Sequence, residues 1–372
     1  MTMANRPRNP WKKHFKFLLA NMLRYLGIFR LERLFLSRSR AFILALHRVV
    51  EDGEIVPCLD PRMYVTSTVF RDILVFLRRH YDVVALGDLL ARDKPGKVLP
   101  KPACALTFDD GYMDNYTHAF PILAEMGVPA TIFLTAGLIG TKRLLWNDAI
   151  SVACAAASRN GQTKKHLIEL LQAAGLSVPS SSCLEKKPDR FSAESVIRQL
   201  KKRPHAKVET LLSELEPCVT LDGAEAERFR LLTWDQVREM MAKDIHFGSH
   251  TLSHCILPVE TDGTAQREIE ESKALIQSRL GTPVYAIAYP NGECNGETIL
   301  AARRAGFRIG LTLRKEHASA SSDPMRLGRF LVSQEDIAAA NGRFSKTLFE
   351  YETSLLVLHA KRIFRGLLSR RK

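Results

Sequence analysis

Two adjacent carboxylates, Asp109 and Asp110, stand directly after the apolar run Ala103–Phe108 and directly before Gly111. Inside a strand, neighbouring side chains point to opposite faces. At a strand end, ahead of a glycine that lets the chain turn, both can face one mouth. Two carboxylates so close repel, so a stable arrangement neutralises one with a metal and leaves the other free as a base. A second signal, His250-x-x-x-His254, follows the short run Ile245–Ser249. On a helical turn, a spacing of four puts both imidazoles on one side, close enough to share one ion. Two histidines and one aspartate leave a coordination position open for water, the layout of a catalytic rather than a structural site. Each signal alone is weak. An isolated Asp-Asp-Gly is most often a turn, and a lone pair of histidines at this spacing is common. Their coincidence at two strand ends is far more specific.

The elements that must position these residues alternate. Short apolar runs predict strands over 41–46, 82–86, 103–108, 130–134, 245–249, 284–289, 307–313 and 329–332. Helical spacing predicts helices over 66–80, 114–126, 234–242, 265–280 and 297–305, with Gly127, Gly281 and Gly306 as stops and Ser67 or Thr68 as a cap of the first. Alternation with few hairpin signals predicts an α/β fold, a parallel sheet with crossover helices closing into an incomplete barrel. Residues 141–230, rich in Lys, Glu, Ser and Ala, read as a mostly helical insertion that shapes the substrate groove. In such a sheet, polar residues at strand ends carry function. Here they include His47, Asp109, Asp110, His250, His254, the Pro290-Asn291-Gly292 turn and Arg329.

The formal net charge of +14 invites a nucleic-acid reading. Its distribution excludes that: residues 1–40 carry ten Lys/Arg against one acid, residues 355–372 carry six against none, and the body between is −1. The basic N-terminal segment has Trp11, Phe15, Leu18, Met22, Leu26 and Phe29 at helical spacing. It reads either as a helix on an anionic membrane surface or as a helix packed on the body with solvated charges. The basic stretch 355–372 repeats that composition. The seven cysteines form no C-x-x-C pair and read as scattered reduced thiols. The opening residues lack the apolar run and cleavage site of a signal peptide. No stretch approaches the ~18–20 apolar residues of a membrane span. The expected seat is cytoplasmic, peripheral to the inner face of the membrane.

The segments TFDDGY (107–112), FGSHTLSH (247–254) and AYPNG (288–292) occur in this order on the expected strand ends. In this the chain resembles the polysaccharide deacetylases, carbohydrate esterase family 4, with their NodB-homology domain. The resemblance takes in LHRV (46–49), LTWDQVREM (232–240) and RLGRF (326–330), and spans roughly 41–335 apart from the insertion. The stretches 1–40 and 336–372 then flank the catalytic domain as a basic segment and a basic helical tail. The resemblance implies an irregular (β/α) barrel. It implies Asp109 as general base and Asp110, His250 and His254 as ligands of a divalent metal, usually zinc. The implied reaction removes an acetyl group from an N-acetylated sugar, on a polysaccharide or a lipid-linked glycan. A backbone N–H after the first or third motif would hold the oxyanion, making Tyr112 or Tyr289 similar in position, with Pro290 and Asn291 beside the substrate.

The sequence departs from the family pattern in two places. The leaving-group acid, in many members a histidine of a late Leu-x-His segment, has His359 as its only late candidate. His47, which follows an apolar strand, is the better one; the alternative for His47 is a buried structural histidine. The third motif commonly carries an arginine that orients the base, and Ala288 stands there instead. Arg329 either supplies that cation from another strand end or is an ordinary salt-bridging residue. Asp148 and Asp235 are further acids near the mouth, Asp235 reading as a first-turn helix acid. Trp146 and Trp234 are candidates to stack on sugar rings. An O-acetyl esterase would need nearly the same site. A non-catalytic carbohydrate-binding protein on this fold would have no reason to keep the full Asp-Asp-His-His set.

Overall fold

The structure, a computed structural model, describes residues 10–36, 40–54, 60–91, 102–177, 193–219, 221, 223–319 and 321–369. Cys58 and Cys183 lie outside them. In chain order the strands are β1 (Arg40–Leu46), β2 (Arg48–Val50), β3 (Tyr64–Thr66), β4 (Asp82–Val83), β5 (Ala103–Phe108), β6 (Ala130–Leu134), β7 (Ile245–Ser249), β8 (Ala286–Ala288), β9 (Ile309–Leu311), β10 (Ala318–Ser319) and β11 (Phe330–Leu331). Nine of them form one sheet in the order β10-β1-β5-β6-β7-β8-β9, with β11 also on β1 and β4 also on β5, while β2 and β3 pair separately. Among the described residues its strands pair in parallel except where β10 meets β1. The sheet curls into a half-barrel surrounded by helices. Its edges are bridged by one segment: Leu327 pairs with Leu311 of β9, and Phe330, just beyond, pairs with Leu44 of β1.

Strand periodicity sorts the side chains onto two faces. Ala41 and Ile43 of β1, Ala103 and Ala105 of β5, Phe133 of β6, and Ala286 and Ala288 of β8 fill the inside. Phe42, Leu44, Leu106, Phe108, Ile132 and Ile287 face outward and pack under the helices. Most inner residues are small, which leaves room for Phe133. Gly248 on β7 lies against that ring, and a Cβ there would come within 2.5 Å of it.

Several elements differ from their sequence expectation for local reasons. The helix expected over 114–126 begins as a π-helical turn, Asn115–Ala119, and continues as an α-helix over Phe120–Met126. Pro121 has no amide hydrogen to extend an ordinary ladder, and Phe120 donates five residues back to Asn115. The strand expected over 82–86 stops at Val83 because the chain turns into the helix Leu86–Ala91. The runs 284–289, 307–313 and 329–332 are apolar beyond their paired residues because they are buried, not because they are all strand. The helix Ser67–His80 is capped at Thr66 without a side-chain bond from its own turn, and Asp52 accepts from the Thr68 amide instead.

The insertion between β6 and β7 holds the helices Trp146–Arg159, Gly161–Ala173, Ala193–Leu200, His205–Leu215 and Gly223–Arg228. They gather around their own small core of Trp146, Ile150, Leu171, Leu200 and Leu211. At the other end of the molecule, helices Pro10–Tyr25 and Ile28–Leu36 lie against Lys346–Thr353, with Ala20, Phe29, Leu348 and Tyr351 in one cluster. The stretch expected as a C-terminal tail therefore divides. Helix Lys346–Thr353 is buried from Thr347 onward and carries Phe349 into the main core, while only Leu355–Ser369 is peripheral. Cys104, Cys154, Cys255 and Cys294 are free thiols.

Gly248→Ala tests the inner packing. The added methyl meets both Phe133 and the Ala286 carbonyl, and overpacking of this kind costs about 1–3 kcal/mol. The thermal unfolding midpoint should fall, and an unchanged midpoint would show that the inside of the barrel has room.

Candidate active site

The inward alternation continues past the strand ends. On β5 the series Ala103, Ala105, Thr107 leads to Asp109; on β1 it leads to His47; on β7, after Gly248, to His250. Asp109 is fully buried and its amide bonds the Leu46 carbonyl at 3.0 Å. Its carboxylate is gripped by Arg329 through two parallel bonds, Nη1 to Oδ1 at 2.6 Å and Nη2 to Oδ2 at 2.7 Å. Arg329 is itself fully buried, donates to the Thr312 carbonyl and to Thr107 Oγ1, and lies over the Phe133 ring. Burial alone would raise the Asp109 pKa, but the Arg329 guanidinium, through its charge and its two hydrogen bonds, holds it well below the usual carboxylate range. The cation absent at Ala288 thus arrives from the segment that bridges the barrel edges.

Asp110 does not follow the alternation. Its φ of 76° and the 80° of Gly111 turn the chain, so that Asp110 faces the same mouth as Asp109. A Cβ at Gly111 would also press on Leu134 at 2.8 Å. Asp110 Oδ1 lies 3.4 Å from His250 Nε2 and 3.3 Å from His254 Nε2. It is buried and makes no hydrogen bond. Burial, then the Asp109 and Asp148 charges, push its pKa well above the ordinary value.

The two histidines do not lie on a helical turn, as their spacing suggests. They sit on a loop in which Thr251 (φ 66°) and His254 (φ 61°) are both left-handed. Thr251 is a β-branched residue, for which this conformation is costly. The loop is tied on every side: His254 donates its amide to Thr251 Oγ1 at 3.0 Å, and Glu268 accepts from the Leu252 and Ser253 amides at 2.9 Å. His250 Nδ1 bonds the Ala288 carbonyl at 2.7 Å, which assigns the proton to Nδ1 and leaves the Nε2 lone pair toward Asp110. Burial lowers both histidine pKa values and keeps the rings neutral. A buried carboxylate oxygen without a hydrogen bond and two neutral imidazoles, all within 4.8 Å of one another, fit a divalent metal ion.

The other expected residues divide. His47 Nδ1 is buried without a partner. Burial, which outweighs the Asp109 charge, lowers the His47 pKa to about 4. His359 lies exposed on the peripheral helix Leu355–Ser369, and no contact among the described residues ties it to the site. Tyr112 is fully buried and donates its hydroxyl to Asp148 at 2.8 Å, with Arg48 4.4 Å over its ring. It occupies a non-hydrogen-bonded position opposite Leu231, so its amide turns away and has no partner among the described residues. Tyr289 corrects the expectation placed on it. One residue past inward-facing Ala288, it points outward, its amide bonded to the Leu311 carbonyl and its hydroxyl to Met325. It has no N–H left for a substrate.

Pro290 is buried, and Asn291, left-handed at φ 57°, turns the chain at the mouth. Trp146 is buried too, and its indole donates to the His254 carbonyl at 3.1 Å, so it braces the loop of the two histidines and offers no stacking face. Asp235 is a first-turn acid paired with Arg238, and Thr233 is the cap of that helix.

Sequence reasoning placed Asp148 near the mouth without a partner and missed two groups, Arg48 and Lys201. Arg48 forms a buried pair with Asp114 at 2.6 Å beneath Tyr112. Asp148 is raised to about 6, chiefly by burial. Lys201, from the end of the insertion helix Ala193–Leu200, donates to Asn291 Oδ1 at 2.6 Å. Its charge bears on His47 and His254. Nothing in the Lys-Lys-Arg run around it separates it from a solvated surface.

A curled parallel sheet with an Asp-His-His cluster and a second, arginine-held aspartate at its C-terminal mouth defines a hydrolase-type α/β barrel site. The comparisons give the family: the polysaccharide deacetylase profile matches residues 96–310, more than half of the chain, and the protein belongs to that family. It is 24% identical over 261 residues to the polysaccharide deacetylase homologue YxkH of Bacillus subtilis, covering 70% of this chain and 61% of that protein. It is 22% identical over 272 residues to the poly-β-1,6-N-acetyl-D-glucosamine N-deacetylase of Staphylococcus epidermidis, covering 73% of this chain and 68% of that protein. In fold it is similar to the de-N-acetylase of Aggregatibacter actinomycetemcomitans, with a TM-score of 0.51 at 18% identity over 79% of this chain and 95% of that one.

In Arg329→Met the Asp109 carboxyl, buried without its partner, should titrate above the usual carboxylate range instead of below it. Carbon-13 NMR of the carboxyl reads this, and a value still depressed would remove Arg329 as the cause. Breaking a buried pair costs about 3–5 kcal/mol. Because the native pKa lies below the unfolded one, that stabilisation is present above the unfolded value of about 4 and is lost only as the pH falls through the native one.

Proposed function

We propose that the protein is a divalent-metal-dependent deacetylase that hydrolyses the acetamide of an N-acetylated sugar in a glycan, giving acetate and a free amine. The observation that carries this reading is the pairing of two unlike carboxylates at one mouth. Asp109 is gripped and aimed by Arg329, and Asp110 Oδ1 lies without a hydrogen bond 3.4 and 3.3 Å from the Nε2 atoms of His250 and His254. One is fitted to accept a proton, the other to hold a cation. The name of the Staphylococcus epidermidis relative supports an N-acetylglucosamine polymer as the substrate class.

Asp110, His250 and His254 would hold the ion, zinc in this reading. Lewis acidity at the acetyl carbonyl and a lowered pKa for the attacking water are the chemistry it would supply. Asp109 takes the water proton as general base, aimed and kept ionised by Arg329. The Tyr112 amide is the backbone donor for the developing oxyanion. An amide nitrogen leaves poorly without a proton. His47 is neutral at pH 7, so the proton the amine needs is the one Asp109 has taken, and His47 relays it. Lys201 and Asn291 form the wall on the insertion side, where they contact the sugar.

Asp109→Asn should lower acetate release from N-acetylglucosamine oligomers by at least about a hundredfold while metal content stays unchanged. His250→Ala should lose the metal, as read by plasma emission. Full activity in the first, or a retained equivalent in the second, overturns these assignments. Lys201→Ala should raise KM with kcat nearly unchanged, and an equal loss in kcat would instead place Lys201 at the reacting atoms.

A further inference from the structure

Helix Pro10–Tyr25 is apolar on two opposite faces. One face, with Ala20 and the partly buried Leu19 and Leu23, packs onto Leu348 and Tyr351 of the body. On the other, Phe15, Leu18, Met22 and Tyr25 are each more than half exposed. At 3.6 residues per turn these four fall within an arc of about 80°, centred opposite Ala20. Leu26 extends the stripe, and Leu356 and Ile363 are more than half exposed on Leu355–Ser369. Body packing therefore accounts for one face and leaves the other uncovered.

The charges around this stripe have one sign. The helices Pro10–Tyr25, Ile28–Leu36, Lys346–Thr353 and Leu355–Ser369 carry ten Lys/Arg and three acids. Each acid is engaged inward. Glu32 accepts from Ser354 Oγ at 2.6 Å and from the Leu355 amide. Glu350 pairs with Arg24 and Arg33, and Glu352 pairs with Lys16, Lys315 and Lys361. Arg30, Arg79 and Lys346 are exposed and make no ion pair among the described residues. The His80 imidazole, lowered by burial and then by Arg33, Arg79, Lys346 and Arg24, shows how closely cations from separate segments gather.

We infer that this end of the molecule is a docking surface for an anionic lipid bilayer, with the Phe15–Leu18–Met22–Tyr25 stripe set into the interface and the surrounding cations on the lipid head groups. An aromatic and aliphatic stripe bordered by Lys and Arg is the composition of a helix that lies in a membrane interface. With the acids of these four helices engaged inward, the charge their outer side presents is positive and is drawn to a negative surface. Among the described residues no helix is long and apolar enough to cross a membrane. This inference does not rest on the deacetylase reading.

The test is co-sedimentation of the full-length protein with phosphatidylcholine vesicles and with vesicles that also contain phosphatidylglycerol. The protein should partition onto the mixed vesicles at low salt and leave them at high salt. The variant Phe15→Asp/Leu18→Asp/Met22→Asp should bind at least about tenfold more weakly. The variant Arg30→Ser/Arg79→Ser/Lys346→Ser should lose about fivefold per cation. Both change only exposed side chains and should keep the wild-type circular dichroism and thermal midpoint. Equal binding to neutral vesicles, no binding to mixed ones, or undiminished binding by the apolar variant each overturns the inference. So does a wild-type dimer in light scattering that the apolar variant dissolves, since the stripe would then belong to a second copy of the chain.

Discussion

A guanidinium and a carboxylate, both fully buried, face each other across two parallel hydrogen bonds at the centre of this molecule: Arg329 and Asp109. Each would be costly to bury alone, and neither can be moved without exposing the other. The pair joins two parts of the fold. Asp109 ends the interior strand β5, and Arg329 rides on the segment that bridges the two edges of the curled sheet. Closure of the barrel and preparation of the ionised carboxylate are therefore one event. The small residues that line the inside, together with the Phe133 ring under Arg329, keep water away and make the pairing strong.

The rest of the site is built by continuing a period of two and then breaking it. His47, Asp109 and His250 project inward because the residues two before them do. Asp110, Thr251, His254 and Asn291 project where they do because their backbones are left-handed. These four are most of the non-glycine residues with positive φ among the described ones, and they gather at one mouth. Such conformations persist only where their surroundings hold them, as Glu268 and Thr251 Oγ1 hold the second histidine. Local strain here accompanies the gathering of Asp110, His250 and His254 at one point.

Beyond the barrel, two additions shape what the site meets. The insertion contributes Trp146, Asp148 and Lys201 to the rear, the flank and the rim of the mouth. Its helices were legible from composition, but none of these contacts was. Each depends on how a separate small core docks against the barrel, and no local pattern encodes that. The paired ends of the chain were likewise legible as basic amphipathic segments. The choice posed between body packing and an outward face resolves into both, because the helix has two apolar faces and the body covers one.

By itself the sequence determined the parallel α/β architecture and the strands whose apolar runs are also paired runs, such as Ala103–Phe108 and Ala130–Leu134. It also placed Asp109, Asp110, His250 and His254 just past strands visible in the pattern, where the structure gathers them at one mouth. Only the tertiary structure decided the partners. It brought Arg329 to Asp109 across 220 residues, turned Tyr289 outward and left the Tyr112 amide free, and replaced the expected helical turn of the two histidines by a braced loop. The reason is physical. Periodicity is local and survives in a linear string, whereas the pairing of buried charges and the direction of a single amide depend on which distant segment closes over them.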